Sequence, residues 1–157
     1  MASIFEKVKL RPSQLRTVAA RRLADAKYLR DSRRNERANG AMYLAGFVME
    51  CLMKAALLEQ YPWLQNGAVP TTKSATDQRL WSLCYRSHDL LEILEHLPQF
   101  TDRFKKLEQR QQSRLVANLQ SVCGQWTIFA RYSPRSATMQ EAGEFLSRIE
   151  ELKRWLK

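Results

Sequence analysis

The stretch "AMYLAGFVMECLMKA", Ala41 to Ala55, is apolar around its whole circumference, yet it carries one carboxylate, Glu50, and one ammonium, Lys54, four residues apart. A helix with no polar face has nothing to offer water, so it belongs at the centre of a packed structure or between subunits, with the rest of the chain wrapped around it. The acid precedes the base at the spacing that suits a helical ion pair. Buried charges are costly unless paired, so Glu50 and Lys54 read as a structural polar pair that fixes how this helix meets a neighbour.

The surrounding pattern is helical. There are only 5 Gly and 5 Pro against 45% hydrophobic residues, which favours helices over a turn-rich β fold. The expected helices run from about Ser13 to Asp31, with Leu15, Val18, Ala19, Leu23, Ala26 and Leu29 inward, and from about Asn35 to Gln60. A short helix is expected near Ser74, another begins at "SHDLLEILEHLP" with Ser87 as cap, and a long one runs from Thr101 until Pro134 ends it. The last opens at Thr138 with the capping spacing "TMQE" and continues to the C-terminus. "SIFE", Ser3 to Glu6, has the same spacing, but Pro12 limits any helix there to a turn or two. Gly40 and Gly46 lie inside the second helix, where they are easiest to justify if another backbone passes close. The expectation is an all-α protein: a single domain over residues 1–157, folded as an antiparallel up-down bundle of about four long helices plus a short one.

The charge is uneven. The chain carries a net +10, and between Lys7 and Arg37 eleven basic residues face three acidic ones. This basic N-terminal segment, about residues 1–34, raises the local concentration of any polyanion. On a regular first helix Arg16, Lys27 and Arg34 share one side, and with Arg30 and Arg37 they form a candidate track for a phosphate backbone. Cys51, Cys84 and Cys123 are odd in number and widely spaced, which implies reduced thiols and no metal site. "MASIFEKVKL" lacks the apolar core of a signal peptide, and Ala41 to Met49 is too short to span a bilayer, so a cytoplasmic protein with no membrane contact is expected. No cofactor signature is present.

Two further clusters carry possible chemistry. His88 and Asp89 read first as a helix start with favourable first-turn electrostatics, and otherwise as an acid/base or weak metal pair. Arg131 and Tyr132 fall where the fourth expected helix ends; an Arg there suits the helix dipole, and it can also grip a phosphate two-pronged while Tyr stacks on a base. Arg131 is further expected to approach Glu50, or a phosphate, near the middle of the bundle.

"YLAGFVMECLMKA", "SHDLLEIL", "WTIFARYSP" and "FLSRIEELKRWL" occur in that order between Asn35 and Lys157, and together they resemble the HEPN family, the higher eukaryote and prokaryote nucleotide-binding domains. The resemblance implies a helical bundle that forms a homodimer, RNA or nucleotide as ligand, and a setting in bacterial defence or toxin–antitoxin systems. Ribonuclease members carry Arg, four to six residues, then His. Here the positions that would hold Arg before His88 are Trp81, Ser82 and Leu83, and those before His96 are Asp89, Leu90 and Leu91. The motif is absent.

Two readings therefore remain open. In one, the chain binds RNA or a nucleotide and acts as a metal-independent endoribonuclease, with His88 as acid/base, Arg86 or Arg131 stabilising phosphate charge, and a second subunit completing the site. In the other it is a non-catalytic interaction module that dimerises and binds a partner protein encoded nearby, such as a nucleotidyltransferase.

Overall fold

Residues 9–69, 74–126 and 132–156 are described by the computed structural model. Among them the protein is all-α, with α1 (Pro12–Asp31), α2 (Ala38–Gln60), α3 (Ala75–Tyr85), α4 (Leu90–Glu95), α5 (Pro98–Lys105), α6 (Gln109–Gln125) and α7 (Met139–Leu156). Two 3-10 turns, Asn35–Arg37 and Pro62–Asn66, lead into and out of α2. The "SIFE" segment lies outside the described residues.

Pro12 opens α1, where its missing N–H would have had no intrahelical partner. Leu15, Ala19, Leu23 and Ala26 form the buried stripe, and the helix stops where Ser32 Oγ donates to the Leu29 carbonyl (2.6 Å) and Arg33 takes a left-handed φ of 53°. The chain then doubles back. Arg16 reaches Glu59 at one end of α2, and Leu29 packs over Gly40 at the other.

α2 lies between α1 and α7 and also meets α3 and α4. Every residue from Val48 to Leu58 is buried, including Glu50 and Lys54. Full burial of a Leu- or Met-sized side chain stabilises by about 1.5–3 kcal/mol, so Met49, Met53, Leu57 and Leu58 make this segment the main source of cohesion. The helical stretch Asn35–Gln60 is long and apolar enough to cross a membrane, longer than the run Ala41 to Met49 suggested, and 78% of its most apolar window is buried within the protein.

α7 is positioned at its start. Thr138 and Glu141 form the expected capping box: Glu141 N–H donates to Thr138 Oγ1 (3.2 Å) and Thr138 N–H to Glu141 Oε2 (2.8 Å). Asn35 and Asn39 serve this segment rather than their own helix. Asn39 Oδ1 accepts from Ala137 N–H at 2.7 Å, and Asn35 Oδ1 accepts from Met139 N–H at 3.1 Å. Ala142, Phe145, Leu146, Ile149, Leu152 and Leu156 then face inward.

Three local expectations are corrected. The helix expected from Thr101 to Pro134 is, over its described part, two helices, the second stopping at Gln125: Pro98 starts α5, and Glu108 starts α6 through a second capping box with Gln111, which diverts backbone hydrogen bonding at the junction. Asp89, not Ser87, caps α4; its carboxylate accepts from Glu92 N–H at 3.0 Å, while Ser87 Oγ accepts from Asp89 N–H at 3.1 Å. Gly46 makes room for a side chain rather than a backbone. The Trp126 indole sits where a Cβ would be, with Nε1 donating to the Tyr43 carbonyl at 3.2 Å.

Candidate functional site

Positions 47, 50 and 54 fall on one side of α2, turned toward the four-residue link Arg86–Asp89 between α3 and α4. That link is held at both ends. Ser87 N–H donates to the Ser82 carbonyl (2.9 Å), and the Asp89 cap fixes the entry to α4.

Lys54 Nζ donates to Glu50 Oε1 at 2.8 Å and to the Ser87 carbonyl at 2.9 Å. His88 Nδ1 lies 3.0 and 2.9 Å from the two Glu50 oxygens. A carboxylate only accepts, so this contact places the proton on Nδ1 and leaves Nε2 as the imidazole atom available to other groups. The side chains of Glu50 and Lys54 are each 8% exposed, whereas His88 is 37% exposed. A half-exposed imidazole is thus backed by a buried carboxylate that an ammonium anchors.

Aromatic rings complete the setting. Phe47 stands edge-on to His88 (6.4 Å between centroids) and to Trp126 (5.2 Å), and Tyr43 packs edge-on against Phe47 at 5.0 Å. Such an arrangement excludes water from one side of the imidazole and strengthens the Glu50 interactions. A carboxylate–imidazole pair of this kind can accept and return a proton at Nε2.

On the other side of the Ser87 link is a groove of about 780 Å³. Gly67, at φ 70°, turns the chain after Pro62–Asn66 in a conformation that disfavours a side chain. Its carbonyl accepts from Trp81 Nε1 (3.3 Å), and Tyr85 Oη donates to the Leu64 carbonyl (2.6 Å). The Trp81 and Tyr85 rings stack at 5.4 Å, and the Arg86 guanidinium lies 4.9 Å over Trp81. Lys9 and Lys54 also line this groove.

The basic N-terminal residues are less available than their sequence suggests. Arg16 is paired with Glu59 at 2.7 Å, Lys27 with Glu150, and Arg30 with Asp31 at 2.8 Å. Hydrogen bonding to Lys27 and to Arg30 holds the Glu150 and Asp31 carboxyls below the usual carboxylate range. Because α1 ends at Asp31, Arg34 does not continue its face, and the expected line of Arg16, Lys27 and Arg34 is broken. Arg34 is exposed and Arg37 half-buried around the Asn35–Arg37 turn; Tyr132 is 68% exposed. Arg131 lies outside the described residues; among those described, the charged groups at Glu50 are Lys54 and His88.

Burial pushes the thiols of Cys51 and Cys84 up to about 11 and that of Cys123 up to about 12, which suppresses nucleophilic chemistry at all three. Sequence reading separated Glu50–Lys54 from His88–Asp89, and the fold joins them across 38 positions. It also missed the Trp81–Tyr85–Arg86 groove. The available signal was an ion pair inside an otherwise apolar helix, which demands further polar partners beyond its own turn. Comparisons with models of known protein families, with curated proteins and with solved structures return no match.

Proposed function

We propose that the protein is an HEPN-like RNA- or nucleotide-binding protein of a bacterial defence or toxin–antitoxin system, acting in the cytoplasm as a homodimer of antiparallel up-down bundles. The observation that carries this reading is the half-exposed His88 imidazole held by buried Glu50, on a chain of net charge +10. In this reading His88 Nε2 takes the proton of an attacking ribose 2′-hydroxyl as its oxygen bonds to phosphorus, the P–O5′ bond breaks to leave a 2′,3′-cyclic phosphate, the imidazolium returns the proton to the departing 5′ oxygen, and Arg131 balances charge at the phosphate. A second subunit completes the site.

Incubating RNA with wild-type protein and with His88→Ala in the presence of chelator tests the catalytic part. Cleavage by the wild type that disappears in the variant supports it; intact RNA in both removes it. Binding of single-stranded RNA at several salt concentrations tests the ligand, because phosphate contacts give a steep salt dependence.

A non-catalytic interaction module is the second reading, with a partner protein such as a nucleotidyltransferase. The absent Arg-to-His spacing and the internal pairing of Arg16, Lys27 and Arg30 favour it. Negligible RNA binding at any salt would select it.

A further inference from the structure

We infer that the groove between the Gly67 turn and α3 is a binding site for a single nucleoside monophosphate, separate from the His88 imidazole and joined to it through Lys54. The choice of a nucleotide among anionic ligands rests on the function proposed above; the case for an anion stands on the groove itself. Its volume of about 780 Å³ falls within the range of small-molecule sites, roughly 300–1,000 Å³.

Three cations line it, Lys9, Lys54 and Arg86, and no carboxylate does among the described residues. Lys54 is matched by Glu50. Among the described residues Lys9 and Arg86 have no acid partner, and two cations so placed are the complement of a phosphate monoester dianion.

Lys54 supplies the second observation. It is 7% exposed, and its ammonium has three N–H groups for the two acceptors found among the described residues, Glu50 and the Ser87 carbonyl. A buried donor with capacity left over, in the wall of a cationic groove, points to an acceptor that arrives with a ligand. The Tyr85 ring, stacked on Trp81, and the Arg86 guanidinium that covers Trp81 offer flat surfaces against which a base can lie, and both rings are fixed by hydrogen bonds to backbone carbonyls. The site is therefore preformed.

The test is calorimetric titration of the full chain at low salt with AMP, adenosine, ribose 5-phosphate and inorganic phosphate. AMP binds at one site per chain, and each of the other three binds at least tenfold more weakly. Arg86→Ala, an exposed position whose replacement is checked for unchanged helicity, weakens AMP at least tenfold, and Lys9→Ala weakens it in the same direction. Absence of AMP binding, an unchanged affinity in Arg86→Ala, or ribose 5-phosphate binding as tightly as AMP each overturns the site. A parallel titration with a single-stranded RNA separates the two proposals. RNA binding without AMP binding overturns this groove site alone, while AMP binding without RNA binding supports it and removes the RNA reading.

Discussion

Replacing Gly46 by Ala sets two opposing effects against each other. In an ordinary helix interior the exchange stabilises by about 1 kcal/mol, because glycine loses more backbone freedom on folding. At this position a Cβ would stand 1.9 Å from Trp126 Nε1 and 2.1 Å from Cδ1 and Cε2. Carbon contacts are comfortable at about 3.5 Å, so the indole must retreat by about 1.5 Å. That movement strips the Tyr43 carbonyl of its donor and disturbs the packing of Phe47 against Trp126. A lost buried hydrogen bond costs about 1–3 kcal/mol, and overpacking about 1–3 kcal/mol. The net expectation for Gly46→Ala is a loss of about 1–5 kcal/mol, or about 2–20 °C in Tm for a chain of this size. Urea unfolding in a double-mutant cycle reads the cause directly. Trp126→Ala alone costs about 3–5 kcal/mol, and in that background Gly46→Ala becomes stabilising by about 1 kcal/mol. If Gly46→Ala is neutral in the wild type, or equally harmful with and without Trp126, the reasoning is refuted.

Lys54→Met leaves Glu50, among the described residues, with only His88 against it, and breaking a buried pair costs about 3–5 kcal/mol; replacing both residues, as Glu50→Leu with Lys54→Met, recovers most of that loss in urea unfolding. Asp89→Ala removes the α4 cap and costs about 1 kcal/mol, whereas Asp89→Asn keeps most of it, and an Asp89→Ala protein as stable as wild type would contradict the cap. The three cysteine thiols are raised by burial from 9.0 to about 11, 11 and 12, so the folded protein holds more protons than the unfolded chain at alkaline pH. Their contribution is complete below about pH 9 and is lost as pH rises toward 11–12, which chemical unfolding across that window measures. At pH 8 a thiol reagent should label the native protein far more slowly than the denatured one; rapid native labelling would show that the thiols are open to solvent.

Much of this architecture is set by local chemistry and is legible without coordinates. A run apolar on every side has to be central, and α2 is. The stripe Leu15, Ala19, Leu23, Ala26 and the Thr138–Glu141 cap mark α1 and α7 because each signal spans one turn or one face. Boundaries were read less well where two signals compete. One helix ends at Lys105 and Glu108 begins another through Gln111, in a stretch whose apolar spacing continues across the break. The candidate site was legible only in fragments, for a related reason. That Glu50 and Lys54 pair follows from four-residue spacing, but that His88 completes the carboxylate depends on where the α3–α4 link crosses α2. So does the use of the Ser87 carbonyl, a group every residue has and no sequence distinguishes. The fate of Gly46 depends likewise on Trp126, 80 positions away, and the groove depends on the left-handed turn at Gly67 meeting α3. Local pattern is enough for an all-helical chain with a greasy centre and a basic front. Only tertiary packing decided which charges remain free, because ion pairs such as Arg16–Glu59 and Lys27–Glu150 join helices whose approach no local pattern encodes.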